Sequence, residues 1–447
     1  MTVAAVLFLT HPIQTSAVTY IAQRSTLLAS ICYLSALLAY IHYRLNHKIS
    51  FYLLSLGVAL LGVFCKPIII TLPFVIILYE VYFLRSKAER LKIGAIVPYF
   101  LIVLIVPILL MLLKFRTIDV SLLAFVTKET DTISRWPYLL TQFNVIVKYI
   151  QLLFVPLGQN LDYDFPIARS FLEFPTWISF LAIISLLTIG IRLFNRHRLI
   201  SFGIFWFFLT LSLESSIFPI ADVIFEHRLY LPIVGWVIAL SVTIIYIFRS
   251  SKTQQSIFII MIAMCSMFTF QRNLLWSDRI AFLEDIAHKS PRKPRAYLNL
   301  GRAYIEHRQY DLALQALNTA LILNPRYAQA YLNRGVVYEI FNQSEQALHD
   351  YEEAIKIIPD YEKSFYNIGS IYSKEQKYDE AIKYFSKAIE LRPDLVESYN
   401  ARGSMYGIKG QHDLALEDFN RALVIDPQNK AALNNLANTY RIMELKK

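Results

Sequence analysis

The sequence predicts an all-α protein in two parts, a polytopic transmembrane helix bundle followed by a superhelix of short helical repeats. Three observations carry that expectation. Of the 447 residues, 55% are hydrophobic and only 17% charged, which is too apolar for an ordinary soluble domain. The apolar residues are unevenly spread: up to about Phe270 they form runs of membrane-spanning length, such as 93–113 and 231–247, and from Gln271 onward the chain is mixed and charged. In that second part prolines fall at 291, 325, 359, 393 and 427, and Gly301, Gly335, Gly369 and Gly403 keep the same step of 34 residues.

The candidate crossings, in order, are 1–10 in part, 25–42, 49–66, 67–84, 93–114, 176–193, 200–217, 231–249 and 255–270. At about 1.5 Å per residue the first run is half a crossing, without a basic flank or a small-residue cleavage site. It reads as the tail of a longer helix, so a front section is expected ahead of it. Basic residues gather in RLNHK (44–48), RSKAERLK (85–92), RLFNRHR (192–198) and RSSK (249–252), which places these loops in the cytoplasm. The run 137–157 contains Gln142, Asn144, Lys148 and Gln151, and a crossing there would push Arg192, Arg196 and Arg198 outside. It is therefore expected to be interfacial or re-entrant on the outer side. The loops 11–24, 116–136, 158–175 and 218–230 then share one outer face with the repeats. They collect Asp119, Glu129, Asp131, Asp162, Asp164, Glu173, Asp222 and Glu226, with Glu214 at the end of its helix. The domain reading is a membrane domain over 1–271, a linker helix over 272–293, four repeats over 294–429 and a closing helix over 430–447.

The net charge of +10 comes from Lys and Arg lying largely in short loops and not in one basic stripe, which argues against a nucleic-acid partner. Cys32, Cys65 and Cys265 sit inside apolar segments with no metal-type spacing, so neither a disulfide framework nor a metal site is expected, and no cofactor motif occurs.

Each 34-residue unit repeats an aromatic at Tyr297, Tyr331, Phe365 and Tyr399, and a tyrosine at Tyr304, Tyr338, Tyr372 and Tyr406. Alanines follow at Ala313, Ala347, Ala381 and Ala415, and again at Ala320, Ala354, Ala388 and Ala422. Small residues let two helices approach, aromatics fill the gap between units, and proline ends the second helix. The pattern resembles the tetratricopeptide repeat. Asn299, Asn333 and Asn367 recur two residues before the glycine, Asn435 holds that place in the closing helix, and Ala401 breaks the row. An amide on the groove-facing helix can donate to and accept from a bound peptide backbone, so these four are candidate peptide-binding residues. Asparagine is also common at this place in such repeats generally, and both readings stay open.

The membrane part carries HPIQTSAVTYIAQRS (11–25), KPIIITLPF (66–74), YLLTQFNVIVKYIQLLFVPLGQNLDYDFP (138–166), FGIFWFFLTLSLESSIFPIADVIFEHRLYLP (202–232) and RNLLWSD (272–278). With repeats behind them, these motifs resemble the transmembrane and tetratricopeptide repeat-containing O-mannosyltransferase family, in its bacterial form. The resemblance implies a multi-pass glycosyltransferase of the GT-C type that takes a sugar, mannose in the first instance, from a polyprenyl-phosphate donor. It hands the sugar to a protein acceptor recruited by the repeats on the outer side, here the periplasmic face of a bacterial inner membrane. Such chemistry needs cations near the donor phosphate and a carboxylate for the acceptor hydroxyl proton. Arg24, Lys66, His227 and Arg228 are the candidate phosphate-binding residues, Arg228 foremost because a guanidinium grips phosphate oxygens as a fork. Asp162, Asp164, Glu214 and Glu226 are the candidate carboxylates. Each has a plainer reading: Arg24 and Lys66 as interfacial anchors, Glu226 and Arg228 as a mutual ion pair, Asp162 and Asp164 as a solvated loop, and His11 before Pro12 as a helix end. In the superfamily the acidic residue tied most closely to catalysis lies in a first outer loop that this sequence does not contain. Two expectations follow: a fragment of an active enzyme, or an inactive membrane-anchored scaffold whose repeats bind a protein. A transporter ranks behind both, because ionisable groups do not recur at midplane in matching half-repeats.

Overall fold

The computed structural model describes residues 2–19, 23–84, 92–116, 133–216, 219–220 and 222–445, with the side chains of 106–116 excepted. The basic stretch 85–91 and Asp119, Glu129 and Asp131 lie outside the described residues. Among the described residues there is no strand, and the chain divides into two compact units, Met1–Asp278 and Arg279–Lys447.

The first unit contains α1 (Thr2–Thr10), α2 (Thr15–Thr19), α3 (Arg24–Asn46), α4 (Ile49–Cys65), α5 (Leu72–Tyr79) and α6 (Ile93–Arg116). It continues with α7 (Arg135–Phe154), α8 (Phe174–Leu193), α9 (Arg198–Leu211), α10 (Pro232–Ile247) and α11 (Ser251–Ser277). The helix ends follow from local chemistry. α3 stops where His47 turns left-handed at φ 55° and donates its backbone N–H to the Tyr43 carbonyl. α4 stops because Pro67 forces Lys66 into an extended conformation. The stretch 67–84 is not one uniform helix: a 3-10 turn (Pro67–Thr71) leads into α5, and α5 widens into a π turn (Glu80–Leu84). Glu80 on that π turn is buried, receives the Tyr40 hydroxyl at 2.7 Å and pairs with Arg44.

Two apolar clusters hold this unit. One joins α3 to α6 around Tyr33, Tyr40, Ile69, Leu72 and Tyr99, and the other gathers α1, α7, α10 and α11 around Leu7, Tyr138, Tyr149, Ile233 and Phe258. α9 and α10 touch backbone to backbone: a Cβ on Gly203 would collide with the Gly235 carbonyl oxygen, and one on Gly235 with that of Gly203. The exterior is apolar, with Leu28, Ile31, Leu53, Leu61, Leu181 and Ile259 all exposed. Among the described residues four helical stretches, Arg24–Asn46, Pro67–Leu84, Phe174–Leu193 and Ser251–Ser277, are long and apolar enough to cross a membrane by length and composition. α7 is not one of them; one face of it is buried and carries Thr141, Gln142 and Tyr149.

The second unit begins with α12 (Arg279–Lys289), which packs on the first of a series of antiparallel helix pairs. These are α13 (Pro294–Glu306) with α14 (Tyr310–Leu323), α15 (Ala328–Ile340) with α16 (Ser344–Ile357), α17 (Glu362–Lys374) with α18 (Tyr378–Leu391), and α19 (Val396–Ile408) with α20 (His412–Ile425). α21 (Lys430–Leu445) packs on the last pair. The recurring glycine has a packing cause: a Cβ at Gly301 or Gly369 would sit 2.7 or 2.8 Å from Leu317 or Phe385 of the partner helix. The turn inside every pair holds one left-handed residue, Arg308, Asn342, Gln376 and Gly410, at the repeat spacing.

Candidate functional site

Three side chains on one stripe of α7 build the turn between α9 and α10. Tyr138, Gln142 and Tyr149 are spaced by four and seven residues, so they share a helix face. Tyr149 Oη donates to the Phe225 carbonyl at 2.8 Å and accepts the Phe225 N–H at 2.9 Å. Gln142 Nε2 donates to the Val223 carbonyl at 3.0 Å, and Tyr138 Oη to the Glu214 carbonyl at 3.2 Å. The short 3-10 turn Glu226–Leu229 follows, with Glu226, His227 and Arg228 all buried.

Arg228 is committed to this turn. Its guanidinium donates to the carbonyls of Asp222 at 3.0 Å and Val223 at 3.1 Å, lies over the Phe225 ring, and brings Nε to 3.9 Å from Glu214 Oε2. The other Glu214 oxygen is 2.9 Å from Lys66 Nζ, which also donates to Thr26 Oγ1 at 3.0 Å. Two cations therefore share one carboxylate in a poorly hydrated place, where charge interactions are strong. His227 reports the field: burial, then Lys66 and Arg228, push its imidazole down to about 2, so it stays neutral. Its Nδ1 is buried and has no partner.

Glu226 faces the other way. Its Oε2 is 2.7 Å from Arg272 of α11, while its Oε1 accepts the Asn160 N–H at 2.6 Å and the Tyr163 hydroxyl at 2.7 Å. The acid thus ties the loop after α7 to the turn before α10 and to α11. Asp162 is buried in that loop, its backbone bracketed by the Asn160 side chain, and Asp164 is half-buried beside it. His11 caps the 3-10 turn Pro12–Gln14: Nδ1 accepts the Ile13 N–H at 3.2 Å and Nε2 lies 3.1 Å from the Leu153 carbonyl. That assigns the proton to Nε2, and burial lowers the group to about 4. It is a helix-end residue.

The sequence-expected residues fall into three groups. Lys66, Glu214 and Arg228, with His227 beside them, come together; Glu226 with Asp162 and Asp164 forms a neighbouring loop network. Arg24 is exposed at the start of α3 and enters neither. Sequence reasoning did not single out Tyr138, Tyr149, Tyr163, Gln14 or Arg272. The four-and-seven spacing on α7 was the available signal for the first two. Among the described residues no group of His, Cys, Asp and Glu is arranged to hold a metal ion.

In the second unit a cavity of about 600 Å³ is lined by Leu332, Val336, Lys363, Tyr366, Asn367 and Glu397. Asn299 is exposed, Asn333 Nδ2 donates one turn back to the Gln329 carbonyl at 2.6 Å, and Asn367 lines the cavity. Asn435 Nδ2 donates to Asn400 Oδ1 at 2.9 Å and contacts Ser404 Oγ, which fastens the last helix to the fourth pair.

Tetratricopeptide-repeat family models match residues 284–362, 362–395 and 396–429, so the C-terminal region is built of tetratricopeptide repeats. Solved structures similar to it include MamA from Desulfovibrio magneticus RS-1, 22% identical, covering 34% of this chain and 85% of that one with a TM-score of 0.31. A thermophilic repeat protein of Thermus thermophilus is 23% identical over 36% and 88% of the two chains, TM-score 0.33. PilF of Pseudomonas aeruginosa is 21% identical over 34% and 69%, TM-score 0.32. Curated protein sequences gave no match to the chain.

Proposed function

We propose that the chain is a membrane glycosyltransferase-like protein. It takes a sugar, mannose being the first to test, from a polyprenyl-phosphate donor, and its repeats hold the protein acceptor. The observation that carries this is the pair of cations, half-buried Lys66 and buried Arg228, sharing the single carboxylate of Glu214 around a histidine that their charge helps keep neutral. A phosphate ester would supply the negative charge that this arrangement lacks, and the exposed apolar helices supply a surface for the lipid. In the transfer, the acceptor hydroxyl oxygen bonds to the anomeric carbon, and the bond to the phosphate oxygen breaks. The phosphate leaves with that electron pair, and the hydroxyl proton passes to a carboxylate, for which Asp162, Asp164, Glu214 and Glu226 are the candidates. The outer loops and the repeats share the periplasmic side of a bacterial inner membrane in this reading.

Full-length protein in lipid nanodiscs should bind polyprenyl phosphate, and Arg228→Ala or Lys66→Ala should weaken it about tenfold or more, the usual size for a charge-assisted contact. Unchanged affinity in both variants would sink the donor site, and a reporter fused after Leu445 and found in the cytoplasm would sink the topology.

A scaffold without chemistry is the second reading. It is favoured by the tetratricopeptide match together with Glu214 and Glu226 both being engaged by cations, which occupies carboxylate oxygens that a general base would use. Peptide capture by the repeats, with no sugar transfer from any lipid donor, would select it.

A further inference from the structure

Gln14 ends the 3-10 turn that His11 caps, and it is only 6% exposed. Neither Oε1 nor Nε2 of its amide has a protein partner, although its neighbours are satisfied: Thr15 Oγ1 donates to the Pro12 carbonyl and both ring nitrogens of His11 are used. The turn packs against Glu226–Leu229 and against α11. The Glu226–Leu229 turn presents a second orphan, the Nδ1 of His227. Methionine or leucine would fill the Gln14 position without that cost, so an amide buried with both ends unpaired points to a polar group that arrives from outside.

The chemistry of the two orphans narrows what arrives. A primary amide offers two N–H donors and an accepting oxygen, and a neutral imidazole nitrogen offers one further role. Phosphate oxygens only accept, and a polyprenyl tail does neither. Adjacent hydroxyls both donate and accept, which suits an uncharged amide on one turn and a histidine nitrogen on the turn packed against it. His227 is also next in sequence to Arg228, so hydroxyl-matching and phosphate-matching groups meet on one turn. We infer that Gln14, with His227 Nδ1, recognises the sugar hydroxyls of the lipid-linked ligand and is the specificity-determining residue of that site. This inference rests on the donor reading above.

The test compares binding of bare polyprenyl phosphate with its mannosyl, glucosyl and galactosyl forms, on the full-length protein in nanodiscs. The best-bound sugar lipid should exceed the bare lipid by at least about tenfold, the net worth of one ordinary hydrogen bond to a sugar hydroxyl. Gln14→Leu should bring that ratio to within about twofold while the bare lipid binds as before. If Gln14→Leu lowers bare-lipid binding as well, Gln14→Met, closer in shape, is judged by the same ratio. A preference absent from the unaltered protein, or retained in both variants, overturns the role of Gln14 and leaves the phosphate site standing. A protein that binds none of the four lipids overturns the donor reading and this inference with it.

Discussion

His227 and His11 are neutral in the fold, lowered to about 2 and about 4, while the unfolded chain titrates them near their ordinary 6.5. As pH falls through that ordinary value the unfolded chain takes up protons first. Stability from these groups is therefore complete above about 6.5 and lost on acidification, toward 4 for His11 and toward 2 for His227. The slope is roughly 1.4 kcal/mol per pH unit for each histidine. Thermal melts of the detergent-solubilised protein should drop steeply between pH 7 and pH 5, and His227→Asn should remove about half of that dependence. Melting points independent of pH over this range would show that the imidazoles are not held neutral. At the same scale, Arg272→Ala strips the buried Glu226 of its cation and should cost roughly 3–5 kcal/mol, with Glu226→Gln in the same chain restoring part of it. A loss below about 1 kcal/mol in the melt would mean that Asn160 and Tyr163 alone satisfy the acid.

At the scale of elements, the turns within the helix pairs carry a readable cost. Arg308, Asn342 and Gln376 adopt a left-handed backbone at φ 59°, 58° and 61°, a region where a side chain costs about 1–2 kcal/mol, and Gly410 takes the same position at φ 77°. Gln376→Gly should stabilise the repeats by up to about 1 kcal/mol, read as a higher melting temperature, and a lower one would refute the assignment of strain. The repeats were legible in the sequence because every contact that fixes them recurs at one spacing, down to Gly369 facing Phe385. The membrane part was legible only as runs and charges. Lys66, Glu214 and Arg228 stood out as ionisable groups among apolar neighbours. Arg272 and Tyr163 did not, because their partner Glu226 lies 46 and 63 residues away and no periodicity encodes such a contact. Gln14 gave no signal either: its oddity is the absence of a partner, which only packing reveals.

For the whole molecule the informative boundary is at Asp278, where α11 ends and α12 begins. Within the repeat region two partly buried ion pairs, Arg334 with Asp350 and Arg402 with Asp418, each join the two helices of one pair. Those pairs occupy the second and fourth repeats, while Leu300 with Ala316 and Ile368 with Tyr384 hold the same positions in the first and third. The array therefore alternates polar clamps with apolar positions from one repeat to the next. Residues 279–447 expressed alone should be soluble, helical by circular dichroism and cooperative on heating. Starting at 294 instead removes α12, whose Ile286 and Ala287 are buried and whose Glu284 accepts the Tyr304 hydroxyl at 2.6 Å. Losing the Ile286 side chain alone forfeits roughly 2 kcal/mol of burial, and the uncovered face of α13 adds to that. The shorter fragment should melt several degrees lower, since about 1 kcal/mol moves a domain of this size by roughly 2–8 °C. Equal melting points would mean that α12 does not cap the array, and the repeat region would then begin at Pro294.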